Sequence, residues 1–175
     1  AYNNLGSIFR EAGNLENEIF SYRKAILVKP DYYQAHNNLG NALQNCGSYE
    51  DAIASYKRAL TLKPDLVEAY NNLSSAYISM GELEQAVACL RIAISKNPFY
   101  SKGYNNLGSV LLNQSKIGAA LFCYEKALAL APDFTDAHSN LLFSMQYDPN
   151  VDQQQLYDAA CRWGAQHGEQ TAYSV

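Results

Sequence analysis

Asparagine pairs recur along the sequence, and their side chains are the ones whose type and spacing could best bind a ligand. The second residue of each pair recurs every 34 residues and is called here the second-asparagine series: Asn4, Asn38, Asn72, Asn106 and Asn140. An asparagine amide is both a donor and an acceptor, so it can bond the C=O and the N–H of an extended peptide together. One such group in every period could therefore hold a polypeptide backbone without contacting its side chains.

The residues around this series are further candidates for the same surface. The preceding residues form the first-asparagine series: Asn3, Asn37, Asn71 and Asn105. One helical turn later the equivalent positions hold Ser7, Asn41, Ser75 and Ser109. We expect each amide–backbone contact to contribute about 0.5–1.5 kcal/mol, so that affinity would come from several contacts acting together. In the alternative interpretation, the amides bond across neighbouring helices and rigidify the structure without binding a ligand.

The remaining side chains favour a binding protein over an enzyme. The sequence has no glycine-rich phosphate loop, no nucleophile elbow and no HExxH motif, so we predict no catalytic residue, metal or cofactor. The four cysteines form no CxxC pair and are interpreted as thiols in a reducing compartment, with a disulfide or metal site as the alternative: Cys46, Cys89, Cys123 and Cys161. His36 and His138 are interpreted as packing residues.

Composition limits the class of partner. The chain of 175 residues is 48% hydrophobic, which suffices for a sizeable core, and its formal net charge is -4. This mild acidity argues against nucleic acid as a partner, because a nucleic-acid backbone requires a basic surface. No run approaches the roughly 18 apolar residues of a membrane span. We therefore expect a cytoplasmic protein with a protein or peptide partner.

Each 34-residue period divides into two helix-sized halves, called the A helix and the B helix. In the second period the spacing of apolar residues predicts an A helix over residues 35–45 and a B helix over residues 49–62. Gly47 can end the first helix because glycine adopts positive φ at little cost, and Ser48 can cap the next. Pro64 ends the B helix because it lacks the N–H that a continuing helix needs. Small residues recur where two helices approach closely: Ala25, Ala59, Ala93 and Ala127.

This order of residues resembles the tetratricopeptide repeat. The resemblance covers four units, 1–32, 33–66, 67–100 and 101–134, followed by a degenerate fifth unit and a capping helix in 135–175. It departs from the family pattern at four positions, where alanine, glycine, an aromatic residue and glycine are usual: Glu18, Ser74, Leu90 and Ser115. The family's arrangement implies an all-α solenoid of antiparallel helix pairs in a right-handed superhelix, with the A helices on the concave side.

The C-terminal part carries a second resemblance. A helix is predicted after Asp152, which with Gln155 forms a weak capping box, and its apolar side would cover the end of the solenoid. Residues 138–143, 147–149, 156–157 and 162–167 resemble the junction between repeats and catalytic region in O-linked N-acetylglucosamine transferase and Spindly-type glycosyltransferases. In that family, concave asparagines hold a peptide backbone, and the matching positions are the second-asparagine series.

Three hypotheses follow. The favoured one is a non-enzymatic scaffold whose asparagine-rich groove binds an extended polypeptide. The second is that the chain is the substrate-selecting part of a protein O-glycosyltransferase whose catalytic domain lies beyond Val175. The third is a self-association module, with a homodimer as its product. The A helices lack the lysines and arginine with which some repeat proteins bind a C-terminal carboxylate, so the expected ligand is an internal segment.

Overall fold

A computed structural model describes the backbone of residues 1–167 and the side chains of residues 1–164. Within these residues the chain forms ten α-helices and no strand, so the predicted all-α class is confirmed. The helices are α1 (Tyr2–Glu11), α2 (Leu15–Val28), α3 (Tyr33–Asn45), α4 (Tyr49–Leu62), α5 (Val67–Ser79), α6 (Leu83–Lys96), α7 (Ser101–Asn113), α8 (Ile117–Leu130), α9 (Thr135–Met145) and α10 (Gln153–His167).

The chain divides into two compact units, residues 1–98 and the part from Phe99 onward. In the first unit, α1 packs on α2, α3 on α4 and α5 on α6, and each of the B helices α2 and α4 also packs on the A helix that follows it. In the second unit, α7 packs on α8, α8 on α9 and α9 on α10. Short connections and helix-on-helix contacts make each pair an αα-hairpin.

The second repeat shows why the sequence forms these hairpins. Helix α4 has the predicted bounds, and α3 begins two residues before the predicted start. Between them Gly47 has φ 80°, a left-handed conformation that ends α3. Ser48 occupies the N-cap position of α4, but its side chain makes no capping hydrogen bond. In the first repeat, by contrast, Asn14 accepts the Asn17 N–H at 3.1 Å and caps α2.

Tyrosine packed on glycine holds the two helices of a hairpin together. Tyr56 on α4 is fully buried. A Cβ placed on Gly40 of α3 would lie only 2.5 Å from the Tyr56 ring, so any larger residue would collide with it. The first and fourth repeats repeat the contact with Gly6 beneath Tyr22 and Gly108 beneath Tyr124. The third repeat has Ser74 and fully buried Leu90 at these two positions instead.

Helix α10 begins with the predicted capping box, in complete form. The Asp152 N–H donates to Gln155 Oε1 at 2.9 Å, and the Gln155 N–H donates to Asp152 Oδ1 at 2.7 Å. These reciprocal bonds satisfy two backbone donors that a helix N-terminus leaves free. The helix then packs on α9. The side chains from 165 onward, which include the end of the glycosyltransferase-like stretch, lie outside the described residues.

Candidate functional site

In the first unit, the asparagine pairs of successive A helices are joined by side-chain hydrogen bonds. Asn38 Nδ2 on α3 donates to Asn3 Oδ1 on α1 at 3.2 Å. Asn72 Nδ2 on α5 donates in the same way to Asn37 Oδ1 on α3 at 3.4 Å. A residue of the second-asparagine series therefore donates to the first-asparagine residue of the preceding repeat. The 34-residue period produces this bond because it places the same two amides on α1, α3 and α5.

The second unit contains the same bond. Asn140 Nδ2 on α9 donates to Asn105 Oδ1 on α7 at 3.0 Å. The NH₂ group of the same Asn105 amide is also used, since its Nδ2 donates to Asn106 Oδ1 at 3.4 Å. The fifth repeat is degenerate in sequence, yet it keeps the amide bond of the regular repeats.

The two series differ in burial, and this separates their roles. Asn37, Asn71 and Asn105 of the first series expose only 8%, 6% and 6% of their surface. The second series is half-buried from the second repeat onward, and Asn4 is exposed. The buried amides are therefore the structural acceptors, whereas the second series reaches the surface. The sequence had placed both series on one face without separating them in this way.

The bonds between repeats leave part of the Asn38 and Asn72 amides available. Asn38 uses one N–H, which leaves its second N–H and its Oδ1 without a protein partner among the described residues. Asn72 is in the same position. An amide in this state offers one donor and one acceptor, which is what one residue of an extended backbone requires. The cross-helix bonds of the alternative interpretation thus exist. They orient the Asn38 and Asn72 amides and leave one donor and one acceptor of each unused.

The hydroxyls of buried tyrosines on the B helices form a second group of polar contacts. Their partners lie one turn further along the A helices. The Tyr56 hydroxyl lies 2.7 Å from Asn41 Oδ1 and 3.0 Å from Gln44 Oε1. In the fourth repeat the Tyr124 hydroxyl donates to Ser109 Oγ at 3.2 Å. Burial raises the pKa of Tyr56 and of Tyr124, so both phenols stay neutral donors. Gln44 and the tyrosines are not among the site residues predicted from the sequence, although Tyr22, Tyr56 and Tyr124 follow the 34-residue period.

Few charged residues lie on the A helices that carry the asparagines. Helix α3 has no charged residue, α5 has only Glu68, and α7 has only Lys102. Helix α1 contributes Arg10 and Glu11 near its end. The A helices of the four repeats therefore offer two cations in all, too few for a cluster that binds carboxylates.

The contacts of His36 and His138 and the burial of Cys89 fit structural roles. His36 Nε2 and His138 Nε2 lie 3.0 Å from the carbonyl oxygens of Pro30 and Pro132, which requires an N–H on Nε2. Burial raises the pKa of Cys89 to about 11, so this thiol is unreactive at neutral pH. Within residues 1–164 no group of His, Cys, Asp and Glu side chains is placed to hold a metal ion. None of the described helices has the length and apolarity to span a membrane.

Comparison with protein families identifies the repeats. The tetratricopeptide repeat profile matches residues 33–66 and 101–134, a second tetratricopeptide profile matches 67–99, and a TPR repeat profile matches 6–47. The chain belongs to the tetratricopeptide repeat family. Together these matches extend over well more than half of the sequence, and they confirm the resemblance drawn from the repeated residues. No curated protein matches the sequence.

Solved structures have the same all-α solenoid fold. A crystal structure of MamA is 25% identical, with a TM-score of 0.85, covering 99% of this chain and 96% of the other. Pseudomonas aeruginosa pilF is 25% identical, with a TM-score of 0.80, covering 93% and 75%. The first TPR of Spaghetti (RPAP3), bound to the HSP90 peptide SRMEEVD, is 25% identical with a TM-score of 0.63, covering 66% of this chain and 91% of that one. These matches do not bear on the glycosyltransferase-like junction, which stays a prediction.

Proposed function

We propose that this protein is an interaction scaffold that binds an extended polypeptide through the second-asparagine series. The observation that supports this function most directly is the half-used amide: Asn38 and Asn72 each keep a donor and an acceptor at the surface after bonding to the preceding repeat. The unused N–H and Oδ1 of each amide fit the C=O and the N–H of a peptide backbone, which every polypeptide provides. The proposal assigns no catalytic activity and no cofactor to this chain.

The proposed ligand is an internal segment of low charge. The similar structure of the first TPR of Spaghetti (RPAP3) was solved with the peptide SRMEEVD, which has three acidic residues. That structure supports a polypeptide as the class of ligand here as well. An acidic terminus would find only Arg10 and Lys102 on the A helices of this chain. Neutral backbone recognition by amides therefore fits this surface better than a carboxylate clamp.

The test uses a phage-displayed library of random peptides of about 12 residues, each able to span about 40 Å when extended. The wild-type protein should enrich peptides, and their affinities should then be measured by calorimetry. Replacing Asn38 and Asn72 together by alanine should weaken binding by about 10-fold, because two backbone contacts are lost. Circular dichroism of the variant establishes that the helices remain.

A matched control removes amides from B helices. Asn17 on α2 and Gln85 on α6 are exposed, and changing both to alanine should leave peptide affinity unchanged. The proposed function is wrong if the wild-type protein enriches no peptide. It is also wrong if the asparagine variant keeps its helices and binds the selected peptides as tightly as the control does.

Self-association is a second candidate, favoured by an apolar face on α1. Leu5 and Ile8 are 39% and 59% exposed, whereas the equivalent residues Leu39 and Ala42 of α3 are buried. Exposed apolar side chains of this kind can pack against a second copy of the chain. Light scattering should show a dimer that Leu5→Gln with Ile8→Gln converts to a monomer. A wild-type monomer at all concentrations would exclude this function.

We also propose a cytoplasmic location, on the basis of four cysteines that remain free thiols. The alternative that this chain is part of a glycosyltransferase rests on residues 138–167, and the gene provides a direct test of it. A sequence for a nucleotide-sugar-dependent catalytic domain should follow Val175. A stop codon shortly after that position would remove this alternative and leave the scaffold proposal intact.

A further inference from the structure

Four polar side chains of the second and third repeats form a continuous chain of contacts. The hydroxyl of fully buried Tyr56 lies 2.7 Å from Asn41 Oδ1 and 3.0 Å from Gln44 Oε1. Gln44 Nε2 lies 2.9 Å from Ser75 Oγ on the next A helix. Asn41, Gln44 and Ser75 are half-buried, so both ends of the chain reach the surface.

The number of hydrogens and the bond lengths together indicate the direction of this chain. A phenol has one hydrogen, so it can donate to only one of the two amide oxygens, and the other amide must present its NH₂ to the phenol oxygen. Bonds of the O–H···O type are most often 2.7–2.8 Å long, and those of the N–H···O type 2.9–3.0 Å. The 2.7 Å contact with Asn41 thus fits a hydroxyl donor, and the 3.0 Å contact with Gln44 fits an amide donor.

This direction requires the Gln44 side-chain amide to be rotated so that its oxygen and nitrogen exchange places. Ser75 then donates its hydroxyl hydrogen to Gln44 Oε1, Gln44 Nε2 donates to the Tyr56 oxygen, and Tyr56 donates to Asn41 Oδ1. Every hydrogen bond has one donor and one acceptor. The opposite arrangement would give the phenol donor the 3.0 Å contact and the amide donor the 2.7 Å contact, the reverse of the usual lengths.

We infer that Asn41 is a donor-only position of the binding surface, with Tyr56 and Gln44 as its positioning residues. Because its oxygen faces Tyr56, Asn41 presents two N–H groups outward, and neither has a protein partner among the described residues. The ligand group that fits is a carbonyl oxygen. This inference rests on the proposed function and adds a direction to the hydrogen bonds with the ligand. Asn38 can accept or donate, whereas Asn41 can only donate.

Among the four regular repeats, the second alone has an amide at this position. The equivalents Ser7, Ser75 and Ser109 carry hydroxyls, which can donate or accept. The third repeat also lacks the phenol, because Leu90 stands where the second has Tyr56. A bound polypeptide must therefore present a carbonyl oxygen to the second repeat, which gives the surface one fixed register point.

Asn41→Asp is the decisive variant. The carboxylate still accepts from Tyr56, but its second oxygen replaces the outward donors with an acceptor. A peptide selected on the wild-type protein from the random library should bind about 10-fold or more weakly. Asn45→Asp, on the exposed end of the same helix, should change affinity little and controls for the added charge. Unchanged affinity of the Asn41→Asp variant would overturn the inference, because it would show that an oxygen already faces outward.

Tyr56→Phe tests the positioning role, since it keeps the ring on Gly40 and removes only the hydroxyl. Affinity should fall by about 2- to 5-fold, since the Asn41 amide can then turn over. In the unliganded wild-type protein, NMR should show Asn41 side-chain amide hydrogens exchanging as fast as those of exposed Asn45. Slow exchange at Asn41 would contradict the inference even if no peptide binds, so it can fail separately from the proposed function.

Discussion

The second and third repeats solve the same packing problem with different residues. In the second repeat the Tyr56 ring lies against Gly40, where a Cβ would come within 2.5 Å of the ring. In the third repeat Leu90 replaces the tyrosine, and Ser74 replaces the glycine. Both B-helix side chains are fully buried. These two positions therefore form one packing unit, in which a smaller B-helix residue makes room for a side chain on the A helix.

The largest effect is expected when the serine of the third repeat is placed in the second. Gly40→Ser should destabilise the fold by about 2–3 kcal/mol, because its Cβ collides with a ring that has no space to move into. Chemical denaturation measures this change. Adding Tyr56→Leu should recover part of the loss, with a coupling energy of about 1–2 kcal/mol in the double-mutant cycle. Strict additivity would show that the two positions are independent.

The reverse exchange tests the same packing unit in the third repeat. Leu90→Tyr should cost about 1–2 kcal/mol, because the ring would meet the Ser74 side chain. Combining it with Ser74→Gly should restore most of the stability and recreate the packing of the second repeat. Thermal melting of the three variants provides the measurement. A Leu90→Tyr protein as stable as the wild type would contradict the packing explanation.

The first repeat extends the comparison, because Glu18 stands where the second has fully buried Ala52. Glu18 is 3% exposed, and its Oε1 has no partner among the described residues. Glu18→Ala should stabilise the fold by about 1 kcal/mol at neutral pH by removing this buried polar group. Denaturation of both proteins at the same pH measures the gain, and a less stable variant would show that the carboxyl has a bonding role.

The same residue gives a pH dependence. Burial raises the pKa of the Glu18 carboxyl above its ordinary value of 4.5, and Arg10 offsets part of this rise. The folded state therefore binds the proton more tightly than the unfolded state. Its contribution to stability is fully present below the ordinary pKa and is lost as the pH rises through the raised one. The wild-type protein should thus lose stability relative to Glu18→Ala as the pH rises above 4.5.

The smallest effect concerns the turn between the helices of a repeat. Gly47 has φ 80° in the second repeat, and Ser115 adopts φ 59° at the equivalent position of the fourth. A residue with a Cβ is strained in this region, whereas glycine is not. Ser115→Gly should raise stability by about 0.5 kcal/mol, measured by denaturation. Gly47→Ser should lower it by a similar amount, and equal stability of all three proteins would contradict this account.

Much of the fold follows from sequence because its signals are local. The bounds of α4, the turn at Gly47 and the capping box at Asp152 depend on residues a few positions apart. The sequence also showed that Ser74 and Leu90 depart from the family pattern. It did not show that they compensate for each other, since their contact depends on how two helices pack.

The candidate site was less predictable, because its geometry depends on side chains far apart in sequence. Asn72 and Asn37 are 35 residues apart, and no local pattern shows that one donates to the other. The burial of the first-asparagine series depends equally on the neighbouring repeat. The roles of Tyr56 and Gln44 are set by side-chain orientation and by a count of hydrogens. The 34-residue period located the amides, and only the packed structure separates acceptors from surface groups.

The central claim is that surface amides of the second-asparagine series contact a bound polypeptide. It is tested most directly by NMR of the side-chain amides during titration with a peptide selected from the random library. The Asn38 and Asn72 amide signals should shift in proportion to binding, and their hydrogens should exchange more slowly. The side-chain amide signals of Asn17 on α2 should not change. Saturable binding of the peptide with unchanged Asn38 and Asn72 signals would contradict the central claim.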